Sequence, residues 1–338
     1  MTLAVALAFL SNTAAIGQEA KDAKEIVDNL LSRIELAGYA QVGYTYQDDG
    51  STTSTLDLKR TLLWGKARIT DRWSFLFMHD FSSEVQEYYT DFRISRNQAL
   101  SVRVGQFKNS YSMENPMSPR FMELIDVYSQ GVTYLSGCGS DPLYGVQYGR
   151  DIGLMLFGEL FHGQFYYELA LMNGQGINCK DGNSDKDFIV KVEWRPMTQL
   201  RFVATGQKGR GCAVGTAEWN PDIEIGDNYT RDRLSLGGEW KSDRFGLHGE
   251  ALWGKDGEVE SWGAYLTGRY TVCKHFDVVA SADFFDKNTS LDYDQTNLTA
   301  GVQYWFYDKC RVQLQYTRAF AQQTDDYNCL QAQIQVAF

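Results

Sequence analysis

Residues 330–338 read LQAQIQVAF, and their alternation decides the fold: Leu330, Ala332, Ile334, Val336 and Phe338 share one face, while Gln331, Gln333 and Gln335 share the other. A period of two is that of a β-strand, whose successive side chains point to opposite faces of the sheet. One face here is greasy and the other wet. The same split recurs upstream. Phe276, Val278, Ala280, Ala282 and Phe284 oppose Asp277, Ser281 and Asp283, and Leu298, Ala300, Val302, Tyr304 and Phe306 oppose Asn297, Thr299 and Gln303. Trp73, Phe75, Phe77 and Phe81 likewise face away from Ser74 and Asp80. The apolar faces tend to begin or end on an aromatic residue.

Composition narrows what such strands build. The chain has 338 residues with 32 Lys+Arg against 43 Asp+Glu, a formal charge of −11, which excludes a nucleic-acid binder because phosphate contacts need a basic face. Hydrophobic residues make up 43% of it, with 20 Tyr, 19 Phe and 8 Trp, far too much apolar surface for a disordered chain. Beyond the first 17 residues or so no stretch approaches the ~18 uninterrupted apolar residues of a spanning helix, so a helical membrane bundle is excluded. No Pro/Gly/Ser-rich linker offers a place to divide the chain, and one large unit is expected.

A soluble antiparallel sandwich also alternates, but three features favour a transmembrane barrel. The runs are about 10 residues long, as tilted strands crossing a bilayer require. Very short connections (70–72, 96–98, 161–163, 195–197, 242–244, 272–274 and 307–309) alternate with longer polar ones, the rhythm of short periplasmic turns and long outer loops. The last alternating run ends on Phe338, a terminus of the kind seen on exported barrels. The expected fold is therefore all-β: a transmembrane antiparallel β-barrel of about sixteen strands, spanning residues 35–338. The second and sixth runs (55–69 and 149–160) alternate poorly, which leaves fourteen or eighteen strands open. A barrel of this size encloses an aqueous channel, so passive passage of small hydrophilic solutes or ions is the implied function.

Residues 1–17 read as a cleaved signal peptide, with an apolar core from Leu3 to Leu10 and small residues up to Gly17. Lacking Lys or Arg near its start, it suggests that a basic leader precedes Met1. Residues 18–34 read as a short periplasmic helix, since Ile26, Val27, Leu30, Leu31 and Ile34 recur at helical spacing. Export to the outer membrane of a Gram-negative cell follows.

The connection from Asn109 to about Tyr148 is much the longest, and long loops without strands of their own are usually functional or disordered. Phe121, Met122, Leu124, Ile125, Val127 and Tyr128 make it too apolar to stand in water. It is expected to fold into the barrel and narrow the pore, a lid or subunit contact being the alternative. The polar faces carry Arg60, Lys66, Arg68, Arg93, Arg103, Lys191, Arg195, Arg201, Arg233, Lys241, Arg269 and Arg311 against Glu35, Asp80, Asp91, Asp151, Glu168, Glu193, Glu239, Glu250, Asp277 and Asp283. The cations on the second, fourth and fifth strands, beside the long loop, either raise the local concentration of anions or only balance charge, with Arg93 paired to Asp91 or Asp80 across strands. Both readings stay open. The candidate pore-lining and constriction residues are Arg60, Arg68, Arg93, Arg103, Lys108, Glu114, Arg120 and Asp126.

These residues also carry a resemblance. The stretches LDLKRTLLWGKARITDRWSFLFMHDF (56–81), YTDFRISRNQALSVRVGQFKNSYSMEN (89–115) and RDIGLMLFGELFHGQFYYELALMNGQG (150–176) resemble the phosphate-selective porin O and P family, in its Bacteroides-type members. The resemblance implies a sixteen-stranded homotrimeric porin in outer-membrane lipid, with its third outer loop folded into the pore and Lys108 near the constriction. Phosphate selection in that family resembles an arginine ladder feeding clustered lysines. This loop departs from it, offering Lys108 and Arg120 against Glu114, Glu123 and Asp126.

Six cysteines are present without any CxxC, so neither a zinc site nor another cofactor is expected. Cys273 and Cys310 fall on consecutive periplasmic turns and are either bridged or free. His79 beside Asp80 is the one hint of acid–base chemistry, yet neighbours on a regular strand point to opposite faces, so no enzyme is expected. The rival classes are a surface receptor or adhesin barrel and, behind it, a barrel hydrolase.

Overall fold

In the computed structural model the described residues are 32–50 and 53–338. The signal peptide expected at 1–17 and nearly all of the helix expected at 18–34 lie outside them. Ser32 and Arg33 form a turn and the first strand starts at Ile34, so that residue belongs to the barrel and not to the helix.

Sixteen strands follow in order: β1 (Ile34–Gln47), β2 (Thr53–Arg68), β3 (Trp73–Asp80), β4 (Val85–Arg93), β5 (Ser101–Lys108), β6 (Arg150–Leu160), β7 (Phe165–Met172) and β8 (Asp187–Met197) make the first half. The second half is β9 (Leu200–Cys212), β10 (Asn228–Lys241), β11 (Phe245–Asp256), β12 (Val259–Cys273), β13 (Phe276–Asp286), β14 (Asp294–Tyr307), β15 (Cys310–Ala321) and β16 (Tyr327–Ala337). Each pairs antiparallel with the next, and β16 closes on β1 with Tyr39 opposite Ala337 and Gln41 opposite Gln335. Closure removes both sheet edges, which in lipid would be rows of unpaired N–H and C=O groups. The expected count of sixteen holds. The rhythm of the connections is less regular than expected, because residues 81–84 and 257–258 make tight turns at the end that carries the long loops.

The side-chain period sorts the two surfaces. Leu234, Leu236, Leu266, Val278, Leu298, Leu314, Leu330, Ile334 and Val336 are exposed on the outside. At the short-turn end, rings stack along the outside of neighbouring strands: Phe165, Trp194 and Phe202 at 6.5 and 5.6 Å between centroids, and Trp240, Phe245 and Tyr270 at 6.3 and 4.8 Å. An apolar band with aromatic girdles is the surface of a barrel whose outer solvent is lipid. Inward go Gln303, Gln313, Gln315, Gln331, Gln333 and Gln335, all buried.

The core sits inside the barrel, off centre. The 109–149 connection enters the lumen, makes a single 3₁₀ turn at Pro119–Phe121 and a short helix α1 (Gln130–Leu135), and returns to β6. Its Tyr111, Val132, Tyr134 and Leu135 pack on inward-facing Phe107, Met155, Met172, Leu252 and Phe285. Full burial of each large side chain contributes about 1.5–3 kcal/mol, which explains why so apolar a loop leaves water.

Candidate functional site

The inserted loop is held by the wall through groups that sequence places far apart. Glu250 on β11 lies buried beneath residues 112–114, accepting hydrogen bonds from Ser112 Oγ (2.8 Å) and the Met113 N–H (2.7 Å). Ser235 Oγ (2.8 Å) and Tyr265 Oη (3.0 Å) donate to the same carboxylate from the wall. Next to it Glu114, also buried, accepts from the Ser129 N–H at 2.9 Å and lies 3.3 Å from His248 Nε2. Burial raises the Glu114 carboxyl above the usual carboxylate range against the pull of His248 and the Ser129 amide. Glu114 therefore faces the wall, which corrects its expected place along the pore.

A glutamine wall receives the lowest part of the loop. Gln315 Oε1 accepts from the Ile125 N–H (3.0 Å), Gln313 Nε2 donates to the Glu123 carbonyl (3.0 Å), and Gln335 Nε2 donates to the Arg120 carbonyl (3.3 Å). Arg311 donates to the Met122 carbonyl at 2.8 Å and to Gln303 Oε1 at 2.7 Å. Amides suit this task because each side chain both donates and accepts, so one wall satisfies a loop's N–H and C=O groups alike. Val127, β-branched and buried, is held at φ +75, a conformation that persists only where the surroundings impose it.

Packed on β5–β8 and hydrogen-bonded to β9–β16, the loop leaves the lumen open along β1–β4. Two recesses lie on that side. The one beside the loop, about 540 Å³, is bordered by Arg60, Lys108, Arg120 and Asp126 together with Asp80, Glu87 and Arg150. The one toward the short-turn end, about 490 Å³, is bordered by Lys66, Arg68, Arg93, Asp91 and Glu159. The cations expected as one cluster beside the loop are thus split between two levels, with Arg68 and Arg93 at the lower.

Pairing decides which of these charges face the lumen unspent. Arg103 makes a two-point bond to Asp91 at 2.7 and 2.9 Å and stacks 3.8 Å over the Tyr89 ring. Register explains why: Asp91 lies opposite Arg103, and Arg93 opposite Ser101. The expected pairing of Arg93 with Asp91 or Asp80 is therefore replaced by Arg103–Asp91. Asp80 instead accepts from the Thr61 N–H (2.8 Å) and from Ser82. Arg150 pairs with Glu87 at 3.0 Å, a pair the sequence reading missed because both sit at strand ends. Lys108 donates to the Asn115 and Met117 carbonyls (2.7 and 2.8 Å) and to Tyr128 Oη (2.6 Å), so its ammonium ties the loop to β5. Arg60 donates to Gln41 at 3.1 Å, and Arg120 lies over the Trp64 ring at 5.0 Å. Neither makes an ion pair among the described residues. Asp126 accepts from Gln331 at 2.7 Å.

Inward-facing apolar residues were the larger omission. Tyr39, Leu62, Trp64, Leu76 and Met78 line the recess beside the loop. Their signal was the poor alternation of the second run, where Leu62, Leu63 and Trp64 follow one another. Buried Arg231, bonded to Asp187, was also missed on the second half of the wall.

All six cysteines are free thiols, with Cys310 buried against Ala337 and Cys273 exposed, so of the two readings left open for Cys273 and Cys310 the free one is found. His79 packs edge-on against Phe81 at 4.8 Å while Asp80 turns inward, and the two form no acid–base pair. Among the described residues no three His, Cys, Asp or Glu side chains gather as metal ligands.

No protein-family model matches the sequence, and comparison with curated proteins finds no relative. Solved structures do match. The trimer form of OmpT, an outer membrane protein of Vibrio cholerae, superposes with a TM-score of 0.63 at 14% identity, over 90% of this chain and 99% of that one. The anion-selective porin from Comamonas acidovorans gives 0.64 at 14% identity over 90% and 99%. The outer membrane channel DcaP of Acinetobacter baumannii gives 0.63 at 12% identity over 90% and 97%. At such identities the likeness is one of fold: the chain shares the closed antiparallel barrel of these outer-membrane proteins.

Proposed function

We propose that this protein is an outer-membrane porin through which small hydrophilic solutes and ions diffuse, past a constriction made by the loop 109–149. The observation that carries the reading is the position of the loop: it packs on β5–β16 and leaves recesses along β1–β4, which narrows the lumen without filling it. A lipid-facing exterior around an aqueous, charged interior supports it. Arg60, Lys108, Arg120 and Asp126 border the narrow part on this reading, and Arg68 and Arg93 the exit below it.

Anion preference belongs to the same proposal. Beside the loop Lys59, Arg60, Lys108, Arg120 and Arg150 stand against Asp80, Glu87 and Asp126, and this positive balance raises the local concentration of anions. Membership of the phosphate-selective porin O and P family, assembly as a homotrimer and export by a signal peptide at 1–17, with a helix ahead of β1, complete the proposal. The trimer form and the anion-selective porin among the structural neighbours favour the second and the anion reading as precedents.

The test is planar-bilayer recording of the purified protein under a salt gradient, with inorganic phosphate added as blocker. Three-step openings with a reversal potential of anionic sign support the whole reading. Large steps with weak preference leave a general diffusion pore, and the absence of conductance refutes the porin reading.

A further inference from the structure

The open side of the lumen is not polar throughout. Between the cations at its two levels runs a belt of inward-facing apolar residues: Tyr39 on β1, Leu62 and Trp64 on β2, Leu76 and Met78 on β3, and Tyr89 on β4. The register makes them adjacent, with Tyr39 opposite Leu62, Trp64 opposite Met78 and Leu76 opposite Tyr89. Tyr39 and Trp64 stand edge to face at 6.3 Å. Elsewhere inward apolar residues such as Met155 and Leu252 are buried beneath the loop. This belt instead borders the open recess, where Trp64, Met78 and Tyr89 are half-buried over the buried Tyr39, Leu62 and Leu76, and leaving even this apolar surface along a water-filled path has a hydration cost.

Charge is arranged around the belt. Arg60 lies one inward position above Leu62 on β2, and Lys66 and Arg68 follow Trp64 below it. Across from Trp64 the loop presents Arg120, whose guanidinium lies 5.0 Å from that ring and 4.5 Å from Phe121, with its Nε buried and without a hydrogen-bond partner. Inorganic phosphate engages only the guanidinium groups and gains nothing from a tryptophan, a leucine and a methionine side by side.

Resting on the porin reading above, we infer that the pore is tuned to small organic anions with an apolar or aromatic face, of the aromatic carboxylate type. Such a solute lays its ring on Trp64 and the neighbouring Met78 while its carboxylate bonds Arg60 or Arg120, in the fork geometry that guanidinium groups favour. It then slides to Lys66 and Arg68 without leaving contact with either kind of surface. The match is of both chemistries at one level of the pore, and a charge-only selector lacks the first.

Blocking of single-channel current separates the possibilities. The probes are benzoate, acetate, benzylammonium and inorganic phosphate, added to wild-type channels and to Trp64→Ala and Met78→Gln variants that show heat-modifiable migration. Benzoate is expected to interrupt current at about tenfold lower concentration than acetate, benzylammonium or phosphate. Either replacement is expected to bring benzoate down toward acetate, and Arg60→Gln with Arg120→Gln to weaken both carboxylates together. Wild-type channels in which benzoate and acetate act alike, or in which phosphate blocks as well as benzoate, overturn this inference and leave the porin reading standing. A protein that forms no channels overturns both.

Discussion

Replacing Glu250 by Ala tests whether the lumen is narrowed by a docked loop. Its carboxylate accepts from Ser112, Met113, Ser235 and Tyr265. The two serines keep other partners, since Ser235 Oγ also lies 2.8 Å from Thr205 Oγ1 and Ser112 Oγ accepts from the Glu114 N–H at 3.0 Å. The Met113 N–H and the Tyr265 hydroxyl are left buried without an acceptor. An orphaned buried donor costs ~1–3 kcal/mol, so the docked loop loses about 2–6 kcal/mol, raising the undocked fraction by about 30-fold to more than 10⁴-fold. Single-channel recording reads this directly, as excursions to larger conductance and added noise, and limited proteolysis reads it as nicking within 109–149 of an otherwise resistant barrel. Glu250→Gln keeps an oxygen for Met113 and should fall between the two. A Glu250→Ala protein that migrates as a folded barrel yet gives wild-type conductance, quiet traces and an uncut loop refutes the reasoning, because the loop would then be held by something other than this carboxylate.

Arg60→Gln with Arg120→Gln should move the reversal potential toward cations, whereas removing the Arg103–Asp91 pair together, as Arg103→Gln with Asp91→Asn, should leave it near wild type, since those charges already cancel. Lys108→Met removes the donor to the Asn115 and Met117 carbonyls and to Tyr128; it should loosen residues 115–128 by about 3 kcal/mol, seen as faster proteolysis there. Asp141, in the loop, has its carboxyl pushed up to about 7 by burial and then by the nearby Asp256, against the pull of Arg233 and Arg231. Its Oδ2 is buried with no hydrogen-bond partner. The docked state therefore holds a proton that the free loop releases near the ordinary carboxylate range, so docking weakens as pH rises from about 4 to about 7 and is level above that. Channel noise should grow over that window in wild type and grow less in Asp141→Asn, the remainder coming from buried Glu114, whose carboxyl is raised in the same sense.

The alternation of LQAQIQVAF made the barrel legible because lipid imposes one demand on every outward residue, and a demand shared by all strands is visible in each of them. The inner surface answers to three environments at once. Where the loop covers it, the wall is apolar at Met155 and Leu252; where the loop's backbone needs partners, it is Gln313, Gln315 and Gln335; where the lumen is open, it is the belt of Leu62, Trp64, Leu76 and Met78. The poor alternation of β2 and β6 has this cause: both faces are apolar, for different reasons on each side.

The same non-locality inverts the charge argument for the loop. Counted along the sequence, Glu114, Glu123 and Asp126 outweigh Lys108 and Arg120, and the constriction looks acidic. In the fold Glu114 is turned to His248, Glu123 lies 3.9 Å from Arg269 on the far side of the loop, and Lys108 is bonded to loop carbonyls. What the loop presents to the open side is Arg120 and Asp126; the wall facing them adds Arg60, which makes no ion pair among the described residues, while the wall's carboxylates are taken up by Arg150 (Glu87) and by the Thr61 N–H and Ser82 (Asp80). A side chain that anchors the loop is spent as a selector, so the electrostatics of the path follows from subtracting the anchors. The remainder is cationic and lies beside an aromatic belt.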